Sequence, residues 1–210
     1  IGAGIKLEKA KIQFDESMAL FEEQFLELQD YSSNKETDLA LNNVAIIWGA
    51  HRMNILKSPS KADTPALIKE SDALLEACQK VVVLFEEHTE NKAARMVNIS
   101  GRQRMLSQRI AKFYMAMSWK VEMPDLESNM QQAVDDYEKS LAELAQFKSN
   151  TASIQKQLKK VKSQWVFSKA GFNQHKKGLY VPTLIAVTTE SMLGKMNVLT
   201  QDYERLMGTL

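Results

Sequence analysis

The chain has 210 residues, with 27 Lys plus Arg against 26 Asp plus Glu, and at a net charge of +1 no global field advertises nucleic acid or a membrane as partner. Only 8 Gly, 4 Pro and a single cysteine, Cys78, are present, which favours helix, excludes an internal disulfide and leaves room for one large or two small domains. The longest apolar runs, such as Val81 to Phe85, are too short to span a bilayer, and no signal peptide is visible; Ile1 reads as mature sequence, compatible with an export signal or anchor upstream.

Apolar residues recur at spacings of three and four along the chain, the signature of amphipathic helices. Phe14, Met18, Phe21, Phe25 and Leu28 form a first stripe, Leu41, Val44, Trp48 and Ile55 a second, and Leu67, Leu74, Cys78, Val81 and Phe85 a third. Further along come Met130, Val134, Tyr137, Leu141 and Leu144, then Ile154, Leu158, Val161 and Trp165, then Leu184, Met192, Met196, Leu199 and Tyr203. No segment alternates with the period of two that a strand requires. Breaks fall at 31–37, 57–65, 123–125, 149–153 and 178–182, and Pro65, Pro124 and Pro182 stand at helix starts, where the missing N–H costs nothing. Between Pro65 and Pro124 no proline intervenes and Gly101 is the only glycine, so this region reads as one helix of about 80 Å at 1.5 Å per residue.

The pattern repeats. Ser33-Asn34 matches Ser149-Asn150 at an offset of 116, Trp48 matches Trp165 and Pro65 matches Pro182 at 117, and Phe85-Glu86 matches Tyr203-Glu204 at 118. The expected architecture is all-α: two tandem up-and-down helical bundles joined through a long central helix, the first over 1–90 and the second, a four-helix bundle, over 91–210. The second copy should hold a helix around residue 100, then helices near 125–148, 152–177 and 182–208. The first copy shows only the three later helices; its counterpart of the helix around residue 100 is expected upstream of Ile1.

That extra helix carries the stretch "NISGRQRMLSQRIAK", Asn98 to Lys112. Between Glu90 and Glu122 there is no acid, yet Lys92, Arg95, Arg102, Arg104, Arg109, Lys112 and Lys120 all fall there. On a helical wheel Ile99, Leu106, Ile110 and Phe113 share the core face, flanked by Arg95, Arg102 and Arg109. Arg104 points nearly opposite, amid Ser100, Gly101, Ser107, Gln108 and Ala111, a face of small residues that lets another helix approach. Two such helices from two subunits, meeting at Arg104, would hold two guanidinium groups that repel each other unless an anion lies between them. The planar fork of guanidinium suits a small planar oxyanion, with Ser100, Ser107 and Gln108 as further donors. A solvated or salt-bridged arginine face is the competing reading.

The stretch resembles the Asn-x-Ala-Gly-Arg-Gln-Arg-Met-Leu-Ser-Gln-Arg motif of PilJ-type domains, found at the N-terminus of type IV pili methyl-accepting chemotaxis transducers. It is more distantly similar to the P-box of NarX-type nitrate/nitrite sensor kinases through Gly-x-x-Arg-Met. Trp165, Glu190 to Leu193 and Tyr203-Glu204 resemble the rest of the domain. The resemblance covers 91–210 directly and 1–90 through the repeat. It implies a periplasmic, dimeric four-helix sensor bundle with nitrate or nitrite at the subunit interface, and a membrane-bound signalling partner. In that reading Arg104 binds the anion, and Asn98, Gly101, Arg102, Met105, Ser107 and Arg109 are members of the box. Ser100 departs from the motif's alanine, and no transmembrane helix, HAMP linker, kinase or methylation region accompanies the domain.

No other chemistry competes. His51, His88 and His175 lack companions at metal-ligand spacing, and the Glu22-Glu23 and Glu86-Glu87 pairs lack the inward histidine of a di-iron motif. No phosphate loop, serine elbow or zinc motif is present, so no cofactor, metal or enzymatic activity is expected. The expected function is sensing of nitrate or nitrite; the alternative is a structural or interaction module whose arginine face docks a partner's carboxylates.

Overall fold

The computed structural model describes residues 4–32, 34–87 and 92–209. Among these the regular structure is entirely helical: α1 (Leu7–Tyr31), α2 (Lys35–Ile55), α3 (Thr64–Glu87), α4 (Lys92–Ser118), α5 (Leu126–Gln146), α6 (Ala152–Phe172) and α7 (Pro182–Met207), with a 3-10 turn at Asn173–Lys177. The chain divides into two units, Ile1–His88 and Thr89–Leu210. Whether α3 and α4 form one long helix depends on residues 88–91, which lie outside the described residues, as do Ser33, His88 and Glu90 from the sequence reading.

Helix starts follow local chemistry. The Asn34 side chain accepts the Thr37 N–H at 2.8 Å ahead of α2, and Thr151 accepts that of Ile154 at 3.2 Å ahead of α6. Pro182 occupies the first turn of α7. Gly178, at φ 72°, supplies the left-handed residue that ends the 3-10 turn.

In the second unit α4 packs on α5 and α7, and α6 packs on α7. The core takes side chains from all four helices, among them Ile110, Tyr137, Ile154 and Met192, each wholly inaccessible. In the first unit Ala40, Leu41 and Val44 of α2 meet Ala77, Val81 and Leu84 of α3, with Phe21 and Phe25 of α1 against them.

The repeat seen in the sequence reappears as repeated contacts. Helix α6 occupies the span of α2 displaced by 117 residues at both ends. Phe21 lies 4.5 Å from Trp48 between ring centroids, and Tyr137 lies 4.2 Å from Trp165. Tyr31 packs on Phe85 as Phe147 packs on Tyr203. Each tryptophan donates its indole N–H to a glutamate: Trp48 to Glu22 at 3.2 Å and Trp165 to Glu138 at 2.9 Å. Each glutamate also receives a cation one turn beyond the tryptophan, Arg52 and Lys169, both at 2.6 Å. Neither the glutamates nor these cations stand out in the sequence, because their partners lie on another helix.

Partial burial pushes the Glu138 carboxyl upward, but hydrogen bonds from Lys169 and Trp165 and the Lys169 charge outweigh it and hold it below its ordinary range. A depressed carboxylate contributes stability above the ordinary glutamate pKa of about 4.3, and that contribution is lost as pH falls through the folded-state value. Between about pH 5 and pH 3 the native chain should therefore lose more stability than Glu138→Gln. Because the pair is well exposed, the difference should stay within about 1 kcal/mol. Urea unfolding across that range measures it; parallel pH profiles would refute the coupling.

Candidate functional site

Helix α4 has two neighbours to satisfy, and its buried arc is accordingly wide. Leu106, Ile110 and Phe113 are fully buried as the wheel indicates, while Ile99 is half-buried. Met96, Ser100, Gln103, Ser107 and Tyr114 are buried too. This corrects the placement of Ser100 and Ser107, which lie on the inner side and not beside Arg104. Their hydroxyls donate to carbonyls of their own helix, Ser100 to Val97 at 2.9 Å and Ser107 to Arg104 at 2.7 Å. The physical reason is the second contact: with α7 packed on α4 as well as α5, the serine flank is enclosed inside the bundle. Gln108 reaches across that seam, its amide donating to the Thr189 carbonyl at 3.3 Å.

The arginines separate into different environments. Arg95 donates through Nη2 at 2.7 Å and Nε at 3.1 Å to one oxygen of Glu143, and Arg102 lies 3.7 Å from Asp136. Both acids belong to α5. Arg109 sits over the Phe113 ring, 5.4 Å from its centroid, and Lys112 is 5.0 Å from the same ring. Arg104 is exposed, and among the described residues no carboxylate pairs with it. Asn98 is half-buried.

Gly101 lies one turn before Arg104 on α4. A Cβ built there meets nothing within 4 Å, so nothing in the unit's own packing requires glycine. The Tyr114 hydroxyl accepts the Val181 N–H at 2.8 Å and Gln108 bonds Thr189, which fixes α4 and α7 as antiparallel neighbours. Continuing that register brings Arg104 level with Leu193 and Gly194. A Cβ on Gly194 likewise meets nothing within 4 Å.

Gln103 was not singled out by the sequence reading, although it stands inside the box. It is fully buried, its amide donates to the Tyr137 carbonyl at 2.9 Å, and its own Oε1 has no hydrogen-bond partner among the described residues. The signal that locates it is spacing: Gln103, Leu106 and Ile110 stand at i, i+3 and i+7, a polar residue in a core stripe.

Other polar groups have structural partners. His51 bonds Glu70 at 3.0 Å, and His175 bonds the Phe172 carbonyl at 2.6 Å and Glu127 at 3.1 Å. Burial raises the Cys78 thiol pKa, the opposite of what a reactive cysteine needs. Among the described residues no group of three or more His, Cys, Asp or Glu is placed to hold a metal ion.

The box helix and the three helices after it fall almost wholly within the span that a known family covers. The family model for the type IV pili methyl-accepting chemotaxis transducer N-terminal domain, PilJ, matches residues 88–205, more than half of the chain. The chain belongs to the PilJ family. No curated protein and no solved structure matches it. The PilJ domain is a sensory, signalling domain of chemotaxis transducers, not a catalytic one. Such domains are typically extracytoplasmic parts of membrane receptors; among the described residues no helix is long and apolar enough to cross a membrane.

The exposed, open setting of Gly101 and Arg104 fixes how each should respond to substitution. Gly101→Ala should stabilise the isolated protein by about 0.5–1 kcal/mol, since alanine lowers the entropic cost of helix and meets no neighbour. Arg104→Ala should change stability by less than about 0.5 kcal/mol. Denaturant unfolding measures both; a loss above 1 kcal/mol for either would mean that this face is already packed.

Proposed function

We propose that the chain is the periplasmic sensory part of a chemotaxis-type receptor and binds a small planar oxyanion, nitrate or nitrite, at Arg104 in a homodimer interface. The observation that carries this reading is the contrast among the box arginines. Arg95 and Arg102 are engaged by carboxylates of α5, Arg109 lies over Phe113, and Arg104 is exposed with no carboxylate paired to it among the described residues.

The open space at Gly101 and Gly194 supports the approach of a second body on this face. Two α4 helices related by a two-fold axis would bring two Arg104 groups together, and a trigonal oxyanion between them would accept paired hydrogen bonds from both. Its binding energy would act on how the two helices sit, which is how a ligand biases a signalling equilibrium. Gly101 and Gln108 are the box neighbours on this side. Ser100 and Ser107 are enclosed and shape the α4–α7 seam. The resemblance to the NarX-type P-box supports nitrate or nitrite as the first ligands to test. In this reading residues 91–210 form the complete sensor repeat and 1–90 a related repeat of three helices.

Thermal unfolding in nitrate, nitrite and chloride at matched ionic strength tests the proposal. A saturable rise in one of the first two, absent in chloride and lost in Arg104→Ala, is expected, reaching roughly 2.7 kcal/mol at a hundred times Kd. Superimposable curves in the three salts would exclude both anions. Sedimentation in the responding salt should show the dimer, weakened by Gly101→Leu.

A further inference from the structure

The two units bury equivalent positions to different extents, and the difference is largest on particular helices. In the second unit α5 buries seven residues; in the first, α1 buries none. Leu144 is inaccessible, whereas its counterpart Leu28 is 39% exposed. Met130, Val134 and Leu141 are buried, whereas Phe14, Met18 and Phe25 are only half-buried. On the other side Thr200 of α7 is 4% exposed, and Val82 of α3, at the 118 offset, is 40% exposed. Met192 and Met196 are sealed, whereas Leu74 and Cys78 are partly open.

The helices α2 and α6 differ less. Thr37, Leu41, Val44 and His51 are buried like their counterparts Ile154, Leu158, Val161 and Ser168. Helix α4 packs on α5 and α7 and lies across the bundle from α6. The positions that open up in the first unit are therefore mainly on the helices that α4 borders in the second; on the remaining helix they are Trp48 and Ile55, half-buried where Trp165 and Phe172 are buried, and Phe172 is the residue that Tyr114 of α4 meets, with ring centroids 6.4 Å apart. A missing α4 equivalent accounts for the open positions of α1 and α3 and for that of Ile55.

The charge of this open face defines the missing helix further. Along α1 the exposed Glu16, Glu23, Glu27 and Asp30 share one side at helical spacing, whereas Glu22 is turned to Trp48 and Arg52 of α2 and Glu8 pairs with Lys11. Glu27 is exposed and is the repeat counterpart of Glu143, the carboxylate that holds Arg95 of α4. The seat thus offers an apolar trough with an acidic edge, complementary to an amphipathic helix with arginine or lysine along one margin.

We infer that the α1–α3 face of the first unit is the docking seat of a fourth helix of α4's kind, basic at its α1 edge, and that the same polypeptide supplies it ahead of α1. The second unit gives the precedent for this order, since α4 precedes α5 and turns back onto it through residues 119–125. The inference is independent of the anion reading.

A labelled synthetic peptide of sequence Lys92–Ser118 is the probe, titrated into the 210-residue chain and followed by fluorescence anisotropy. Saturable binding is expected, weakened more than tenfold by Leu28→Asp and by Val82→Asp; both side chains are already exposed, and circular dichroism checks that each variant retains its helix content. In a longer polypeptide that begins upstream of Ile1, α1 amides should gain hydrogen-exchange protection and the peptide should no longer bind. No binding, or binding equal in the variants and so directed at another surface, would overturn the seat. A self-associating chain that Leu28→Asp renders monomeric, with no peptide binding, would assign the face to a second copy and overturn the proposal. Unchanged α1 exchange in the longer polypeptide would overturn the source.

Discussion

Helix α4 must bury its surface against two neighbours at once, and the rest of the second unit depends on how it does so. A helix against one partner needs an apolar stripe; a helix held by α5 and α7 needs close to half its circumference compatible with burial. The sequence of α4 meets this with large apolar residues in the middle of the arc, Leu106, Ile110 and Phe113, and small hydroxyl residues, Ser100 and Ser107, at its α7 margin. Serine costs little to bury there because its hydroxyl bonds a carbonyl of the preceding turn, as both do. On the α5 margin the arc is closed by long side chains, Arg95 and Arg102, which reach acids of the neighbouring helix. Both margins being thus occupied, Arg104 is left outside.

The seam that results is fixed by polar bonds as well as packing. Gln103 to the Tyr137 carbonyl, Gln108 to the Thr189 carbonyl and the Tyr114 hydroxyl to the Val181 N–H tie α4 to both neighbours at different heights. A slip of α4 by one turn would break all three and move the Gln103 amide away from its acceptor. An unsatisfied buried polar group costs about 1–3 kcal/mol, so such a slip is opposed more strongly than a purely apolar seam would oppose it.

How much of this was legible follows from which interactions are local in sequence. Helix spans were readable because the apolar period, the breaks at 31–37 and 149–153 and the proline at 182 all act within a turn or two. The repeat was readable because Trp48 and Trp165 are rare residues at matching positions, and the box because its spacing is long and specific. What was not readable lies across helices. The span from 91 to 121 holds no acid, yet Arg95 and Arg102 have carboxylates because α5 supplies them. A single wheel assumes one buried direction, so it placed Ser100 and Ser107 with Arg104 when the second contact with α7 encloses them. Glu22 is legible only as half of an acidic pair and Glu138 not at all, because the tryptophans that bond them lie on another helix.

The first unit shows which part of the repeat is self-sufficient. The α2–α3 pair buries Leu41 and Val44 against Val81 and Leu84, a core that does not need a fourth helix to exclude water. Helix α1 buries no residue, so its position depends on separate attachments: Phe21 on Trp48, Glu22 to the Trp48 indole and Arg52, and Tyr31 on Phe85. These lie at the middle and the C-terminal end of α1. Phe14 and Met18, toward its start, are only half-buried. In the second unit the same attachments recur, and there α4 adds the burial that seals α5 along its length. The tryptophan–glutamate–cation set therefore orients the first helix of each repeat on the second, while the box helix, where present, supplies the apolar burial that a three-helix arrangement leaves undone.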